Sequence, residues 1–186
     1  PVSPRGAPCG RLTGTTGVPV TVTDVLAATT LYYAPYGGCN TLNTFDGTQW
    51  NISAFAQLSI AVPATTNTMY DVFVNNNAGV PALALTAWTN DTTRATALTT
   101  QDGVLVKTGA TTQRYVGSFR TTAVSGQTED SFAKRFLWNY YHRVPRELRV
   151  TEATDSWTYN TATWRCANTV GACVNQLAFV IGVAEV

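Results

Sequence analysis

Three features of the sequence predict an all-β domain, an antiparallel β-sandwich of jelly-roll type behind an extended N-terminal arm. Short alternating apolar and polar runs recur at roughly 8 to 12 residue intervals between turn signals. Two Asp-Gly dipeptides, Asp46-Gly47 and Asp102-Gly103, stand between such runs. The runs themselves are filled by Thr, Val, Tyr, Phe and Trp, the β-branched and aromatic residues that fit a pleated surface.

In chain order, the leader Pro1 to Gly10 has proline at 1, 4 and 8 and glycine at 6 and 10, which disfavours helix and central strand and predicts an arm. Gly17 to Thr23 alternates Val with Thr or Pro, as an edge strand would. Thr29 to Tyr33 reads as the next strand, and Thr41 to Phe45 with Gln49 to Ile52 as a hairpin about Asp46-Gly47, both turn residues at positive φ. Ser53 to Ile60 is the best helical candidate, with Phe55 and Leu58 three apart and Ser53 as cap. Met69 to Val74 and Pro81 to Trp88 form a hairpin with a long loop, Asn75 to Gly79. A third hairpin joins Arg94 to Thr100 and Val104 to Lys107, and Gln113 to Thr121 places Tyr115, Gly117 and Phe119 on one face. Leu148 to Thr151, Ser156 to Asn160, Ala162 to Arg165 and Leu177 to Val183 complete the strands.

The densest aromatic stretch is Arg135 to Val144, which also carries the single histidine and a block of arginines. Phe132, Phe136, Tyr140 and Val144 recur at helical spacing, whereas Phe136, Trp138 and Tyr140 alternate as in a strand. The β-prone composition and strand-like neighbours favour strand, with Leu137, Asn139 and Tyr141 on the opposite face. Residues 11–186 form one domain, in which a hairpin layer over 11–62 can pack on a larger sandwich over 63–186.

Charged residues are 12% of the chain, against about 25% in an ordinary soluble domain. The surface is therefore largely hydroxyl and amide, which suits a packed assembly or an extracellular setting. A formal charge of +1 provides no basic stripe, so nucleic acid is not an expected partner. No apolar run approaches the roughly 18 residues of a membrane span, and no basic segment leads into an apolar one at the N-terminus. A start at Pro1 fits both a product that has lost an initiator Met and one module of a longer chain.

Sites of chemistry are sparse. GxSxG is absent, and His142 reads as a surface or interface residue before it reads as a base. Glu129-Asp130 reads as a solvated turn, not the spaced acid pair of a glycosidase. Calcium-loop and phosphate-loop patterns are missing, and no cofactor or metal is expected. Cys9, Cys39, Cys166 and Cys173 lack CxxC spacing and point to disulfides before zinc, with reduced thiols the alternative. Cys166 and Cys173 suit a bridge at the base of a hairpin; Cys9 and Cys39 can pair with each other or with a neighbouring subunit. Trp138, Trp157 and Trp164, with Phe136 and Tyr140, are expected to be packing or interface aromatics, sugar stacking being the functional alternative.

The ordered series Gly10 to Thr13, Gly17 to Val20, Ala28 to Tyr36, Tyr70 to Val74 with Asn77 to Gly79, and Ala87 to Asn90 resembles bacteriophage and prophage virion structural proteins. It continues through Asp102 to Leu105, Arg114 to Gly117, Trp138 to Val144, Ser156 to Tyr159 and Phe179 to Glu185, covering nearly the whole chain. The resemblance implies a non-enzymatic fibre, spike or capsid-decoration part on the virion surface, assembled as a homotrimer and joined to other virion proteins through its arm. It carries over no catalytic residues. The chain departs from the family pattern at Cys39, Cys166 and Cys173, which implies covalent reinforcement; a bridge within a chain contributes about 2 to 4 kcal/mol. A carbohydrate-recognising receptor-binding module for host polysaccharide is the alternative expectation, motivated by the tryptophans, tyrosines and Asn-rich loops.

Overall fold

The computed structural model describes residues 6–77, 79–151, 153, 158, 162 and 175–184. Among them the regular structure is entirely strand. The first half contributes β1 (Gly10–Thr13), β2 (Val25–Ala28), β3 (Thr30–Pro35), β4 (Thr41–Phe45), β5 (Trp50–Ala54), β6 (Leu58–Ala61), β7 (Met69–Asn77) and β8 (Val80–Asn90). The second half adds β9 (Thr93–Arg94), β10 (Leu98–Gln101), β11 (Val104–Lys107), β12 (Ala110–Arg120), β13 (Thr128–Asp130), β14 (Lys134–Arg135), β15 (Leu137–Asn139) and β16 (Ala178–Phe179).

The largest sheet runs β10-β11-β12-β7-β8-β9, with β15 paired to the far half of β12. A three-stranded sheet, β1-β3-β6, packs on one face of it, and β4-β5 closes the same core. On β7 the period-two alternation sends Tyr70, Val72 and Val74 into this core, where they meet Leu12 of β1, Leu31 and Tyr33 of β3, and Leu42 of β4. The intervening Met69, Asp71 and Phe73 are buried as well. This two-sided burial explains why β7 reads as a nearly continuous apolar run.

The other face carries the second layer. Here Met69, Phe136 and Val180 form a smaller apolar cluster. Beside it Arg94 donates Nε–H to Asp71 Oδ2 at 2.7 Å and Nη2–H to Oδ1 at 3.2 Å, and lies 4.3 Å over the Trp88 ring. Ser118 Oγ donates to Asp71 at 2.7 Å, and Tyr115 shares a hydrogen bond with that hydroxyl. A further Arg94 N–H goes to the Gly182 carbonyl, so the segment after β16 is tied to the same carboxylate. Gly182 is required by closeness: a Cβ there would overlap the Tyr115 hydroxyl and stand 2.5 Å from Ser118 Oγ.

Several expectations change. Ser53 to Ile60 is not a helix: Ser53 and Ala54 stay paired with Leu42 and Thr41, and Leu58 and Ile60 pack on the core from β6. A short helix there would leave the β3 edge unpaired. Gly17 to Thr23 is not a strand, because Pro19 has no N–H to give and its carbonyl accepts from Arg11 Nε at 3.1 Å. Asn75 to Asn77 extend the β7–β8 ladder opposite Ala82, Pro81 and Val80, so most of the expected loop is strand. Leu148 to Thr151 is irregular chain, and of Leu177 to Val183 only β16 is strand. Ser156 to Asn160 and Ala162 to Arg165 lie, almost entirely, outside the described residues.

Tyr115, Gly117 and Phe119 do not share a face. The register between β12 and β7 slips between Tyr115 and Gly117, a bulge that leaves Val116 unopposed and inverts the alternation beyond it. Tyr115 and Ser118 therefore face Asp71, while Val116 and Phe119 enter the main core.

Of the expected arm, Pro8 is buried and Cys9 is fastened to Cys39 by a disulfide with Cα atoms 5.4 Å apart. The Cys9 N–H donates to the Thr41 carbonyl at 2.8 Å, and β1 begins at Gly10. Pro1 to Arg5 lie outside the described residues.

Candidate functional site

Chemistry-bearing side chains gather where β13, β14 and β15 meet the segment Leu177 to Ile181. Glu129-Asp130 is not a solvated turn: it is the buried end of β13, with Glu129 8% and Asp130 7% exposed. Such burial requires partners, and a cation-rich turn supplies them. Lys134 Nζ reaches Glu129 at 3.1 Å, and Ser131 Oγ donates to the same carboxylate at 2.7 Å. Arg135 Nη1 reaches Asp130 at 3.2 Å, and Arg146 Nη2 approaches its other oxygen at 3.3 Å. The remaining donors of Arg135, Nε and Nη2, go to the Glu147 carbonyl at 3.1 and 3.0 Å.

The aromatic stretch divides at Phe136, whose N–H leaves the ladder to donate to the Glu129 carbonyl. Phe136 joins Met69 and Val180 in the smaller cluster, with Trp138 packed against it, while Leu137 and Tyr141 face the main core. Trp138, Tyr140 and Tyr115 form a continuous aromatic group, with centroids 6.0 Å apart for Trp138–Tyr140 and 5.6 Å for Tyr115–Tyr140. Burial pushes the Tyr115 phenol up, the hydrogen bond with Ser118 opposing it in part. At His142 the backbone turns into the left-handed region, φ 51°, which stops any continuation of the strand. Its ring nitrogen Nε2 lies 2.9 Å from the Pro8 carbonyl, and its own carbonyl accepts from Arg11 Nη1. The histidine thus serves as a strut between the chain's start and its aromatic stretch.

Two depressions flank Leu177 to Ile181. The larger, about 530 Å³, has an apolar wall of Met69, Phe136, Leu177 and Phe179, and Arg120 paired bidentately with Asp91 at 3.1 Å. The smaller, about 250 Å³, has Arg11, Arg135, Arg143 and Arg146 in its lining together with Leu137 and Phe179. Burial holds the Arg11 guanidinium below the usual arginine range, Tyr36 opposing and Arg146 adding to the depression. Arg146 is lowered in the same direction by burial, with Asp130 opposing and Arg135 adding.

Cys9 and Cys39 are joined to each other; Cys166, Cys173, Trp157 and Trp164 lie outside the described residues. Among the described residues, no three His, Cys, Asp or Glu side chains come together as metal ligands. The convergence of Arg11 and Arg146 with Arg135 and Arg143 escapes sequence reasoning, since the tie between positions 11 and 142 is made only by the fold; the arginine block at 135 and 143 was its one visible signal. The chain matches no protein-family model, no curated protein and no solved structure.

Proposed function

We propose that the chain is a non-enzymatic module of a bacteriophage virion surface, of the fibre, spike or capsid-decoration type, which assembles with copies of itself as a homotrimer. The ordered resemblance motivates the setting, and the all-β fold with its low charge is compatible with it. The observation that carries self-assembly is the row Leu177, Phe179 and Ile181, which are 49%, 58% and 55% exposed while Val180 between them is buried. These side chains lie on or beside β16, which among the described strands pairs on one side only, with β14. An open edge bordered by bulky apolar groups is a template for another chain, and a copy of the same chain supplies a matching apolar row without a second gene product. Cys9 and Cys39 are joined within the chain, so covalent reinforcement between copies, if it exists, falls to Cys166 and Cys173.

Sedimentation velocity tests this reading. The expected species has the mass of three 20.0 kDa chains and is displaced towards monomer by Phe179→Lys. A wild-type chain that sediments as a monomer across the micromolar range would remove the proposal.

A further inference from the structure

A closed ring of three copies has no two-fold axis, so every contact in it joins two different patches of the chain, whereas a patch that meets itself generates a dimer. The self-assembly reading therefore requires a second surface to receive the row Leu177, Phe179 and Ile181. The sheet that carries the row, in the order β16-β14-β13-β2, has such a surface at its other end. Among the described strands β2 pairs on one side only, with β13. Leu26 on β2 is 64% exposed, Val22 shortly before it is 83% exposed, and Ala27 is exposed as well. Neither Val25–Ala28 nor Leu177 to Ile181 contains the lysine or proline with which a lone edge strand is commonly blunted.

The other exposed apolar groups do not form an edge of this kind. Ile52, 41% exposed, stands on β5 between the polar Asn51 and Ser53, Val80 begins β8 beside the hairpin turn, and Val124 lies in the loop before β13. Leu148 lines the smaller depression together with Phe179 and so belongs to the β16 side. Direction and charge also favour β2. Because β13 runs antiparallel to both β2 and β14, and β14 parallel to β16, the strands β2, β14 and β16 point the same way. Rotation about an axis along the strands preserves that direction and brings the next copy's β2 alongside β16 in parallel. Asp24, exposed and immediately before β2, then arrives at the end of the sheet where Lys134 opposes Ala178. The two backbones stand two strand spacings apart there, about 10 Å. The Lys134 side chain is 48% exposed, so its ammonium can be shared between Glu129 and the incoming carboxylate. An antiparallel β2 would bring the same carboxylate to the apolar Ile181 instead.

We propose that the three copies are joined head to tail through this sheet, β16 of each copy pairing in parallel with β2 of the next, with the apolar row of one meeting Val22 and Leu26 of the other. The proposal rests on the self-assembly reading and adds to it the partner surface. The row at Leu177 to Ile181 is then one half of a joint whose other half lies near the start of the chain.

Sedimentation velocity of two variants of the full chain, alone and mixed, tests the pairing. Leu26→Lys spoils only the receiving edge and Phe179→Lys only the row, so each is expected to be a monomer by itself. An equimolar mixture retains one intact joint per pair, β16 of the Leu26→Lys chain on β2 of the Phe179→Lys chain. It should sediment with the mass of two 20.0 kDa chains and no more. A single joint lacks the gain from ring closure, so the mixture is run at about 100 μM. Far-ultraviolet circular dichroism establishes that each variant is folded; if Leu26→Lys is not, Val22→Lys, at a more exposed position outside the strands, takes its place. A Leu26→Lys chain that remains a trimer, or a mixture of monomeric variants that stays monomeric, overturns the pairing and leaves self-assembly standing. A wild-type chain that is itself a monomer removes self-assembly, and the pairing with it.

Discussion

Gly182 is the residue on which the second layer turns. Its missing side chain lets the backbone reach the Tyr115 and Ser118 hydroxyls and the Trp138 ring, and its carbonyl accepts from Arg94. Gly182→Ala should destabilise the fold by about 1 to 3 kcal/mol through overpacking, seen as a lower urea midpoint at unchanged slope; an unaltered midpoint would show that the contact is not made. Asp46 presents the opposite case, an exposed residue with a local role. Its carboxylate accepts N–H bonds from Gln49 and Thr48 and one from the Asn51 side chain, and these hold its pKa below the usual aspartate value. Because the folded value is the depressed one, its contribution is complete above the unfolded pKa and is lost as pH falls through the folded value. A carboxyl carbon titration should show Asp46 with an acid-shifted midpoint, and Asn51→Ala should move it back towards the ordinary value. Both Asp-Gly hairpins were legible at this scale, for different reasons. Asp102 and Gly103 take φ 53° and 81°, as a type I′ turn demands, whereas Asp46 accepts the turn's N–H groups and only Gly47 is at positive φ.

Among elements, legibility followed the strength of the local signal. The β7–β8 and β11 strands cover the segments the pattern marks, whereas the expected strand Arg94 to Thr100 divides, Arg94 pairing with Trp88 in β9 and only Leu98 onward joining β11 as β10. The segment about Phe55 and Leu58 misleads because three-residue spacing also arises when two strands meet at a corner; Phe55 occupies that corner, its N–H donating to the Asn40 carbonyl at 2.8 Å. The β12 bulge has no sequence signature, since every residue from Tyr115 to Phe119 is compatible with either face. The disulfide is an element of its own, pinning β1 to the turn between β3 and β4 across a sequence separation of 30. Removing it with the double substitution Cys9→Ser, Cys39→Ser should cost about 3.6 kcal/mol by the chain-entropy account, a fall in melting temperature of roughly 7 to 14 °C. Calorimetry showing less than about 1 °C would mean that the hydrogen bonds of β1 hold the chain's start unaided.

For the whole molecule, the all-β class was legible because strand patterning pervades the chain, and the sheet order was not, because it depends on meetings between distant segments. β7 neighbours β12 across the entire β8 to β11 excursion, and β14 takes a parallel partner from the far end of the described chain. The same non-locality hid the arginine-lined depression, which needs positions 11, 135 and 146 together. The apolar row at Leu177 to Ile181 was read as strand, but only the fold shows that its odd positions point outward.

The place of Gly182 in the sequence bears on how the protein is made. Residues 178–182 follow Met69, Arg94, Tyr115 and Phe136, the described residues they meet, so a chain emerging from the ribosome can assemble β1 through β15 and their main core while Arg94 still lacks the Gly182 carbonyl and the Met69–Phe136 surface is uncovered. The second layer closes only after residues 178–182 leave the exit tunnel. A nascent chain stalled just short of them would display its apolar second face to whatever chaperone or neighbouring copy arrived first.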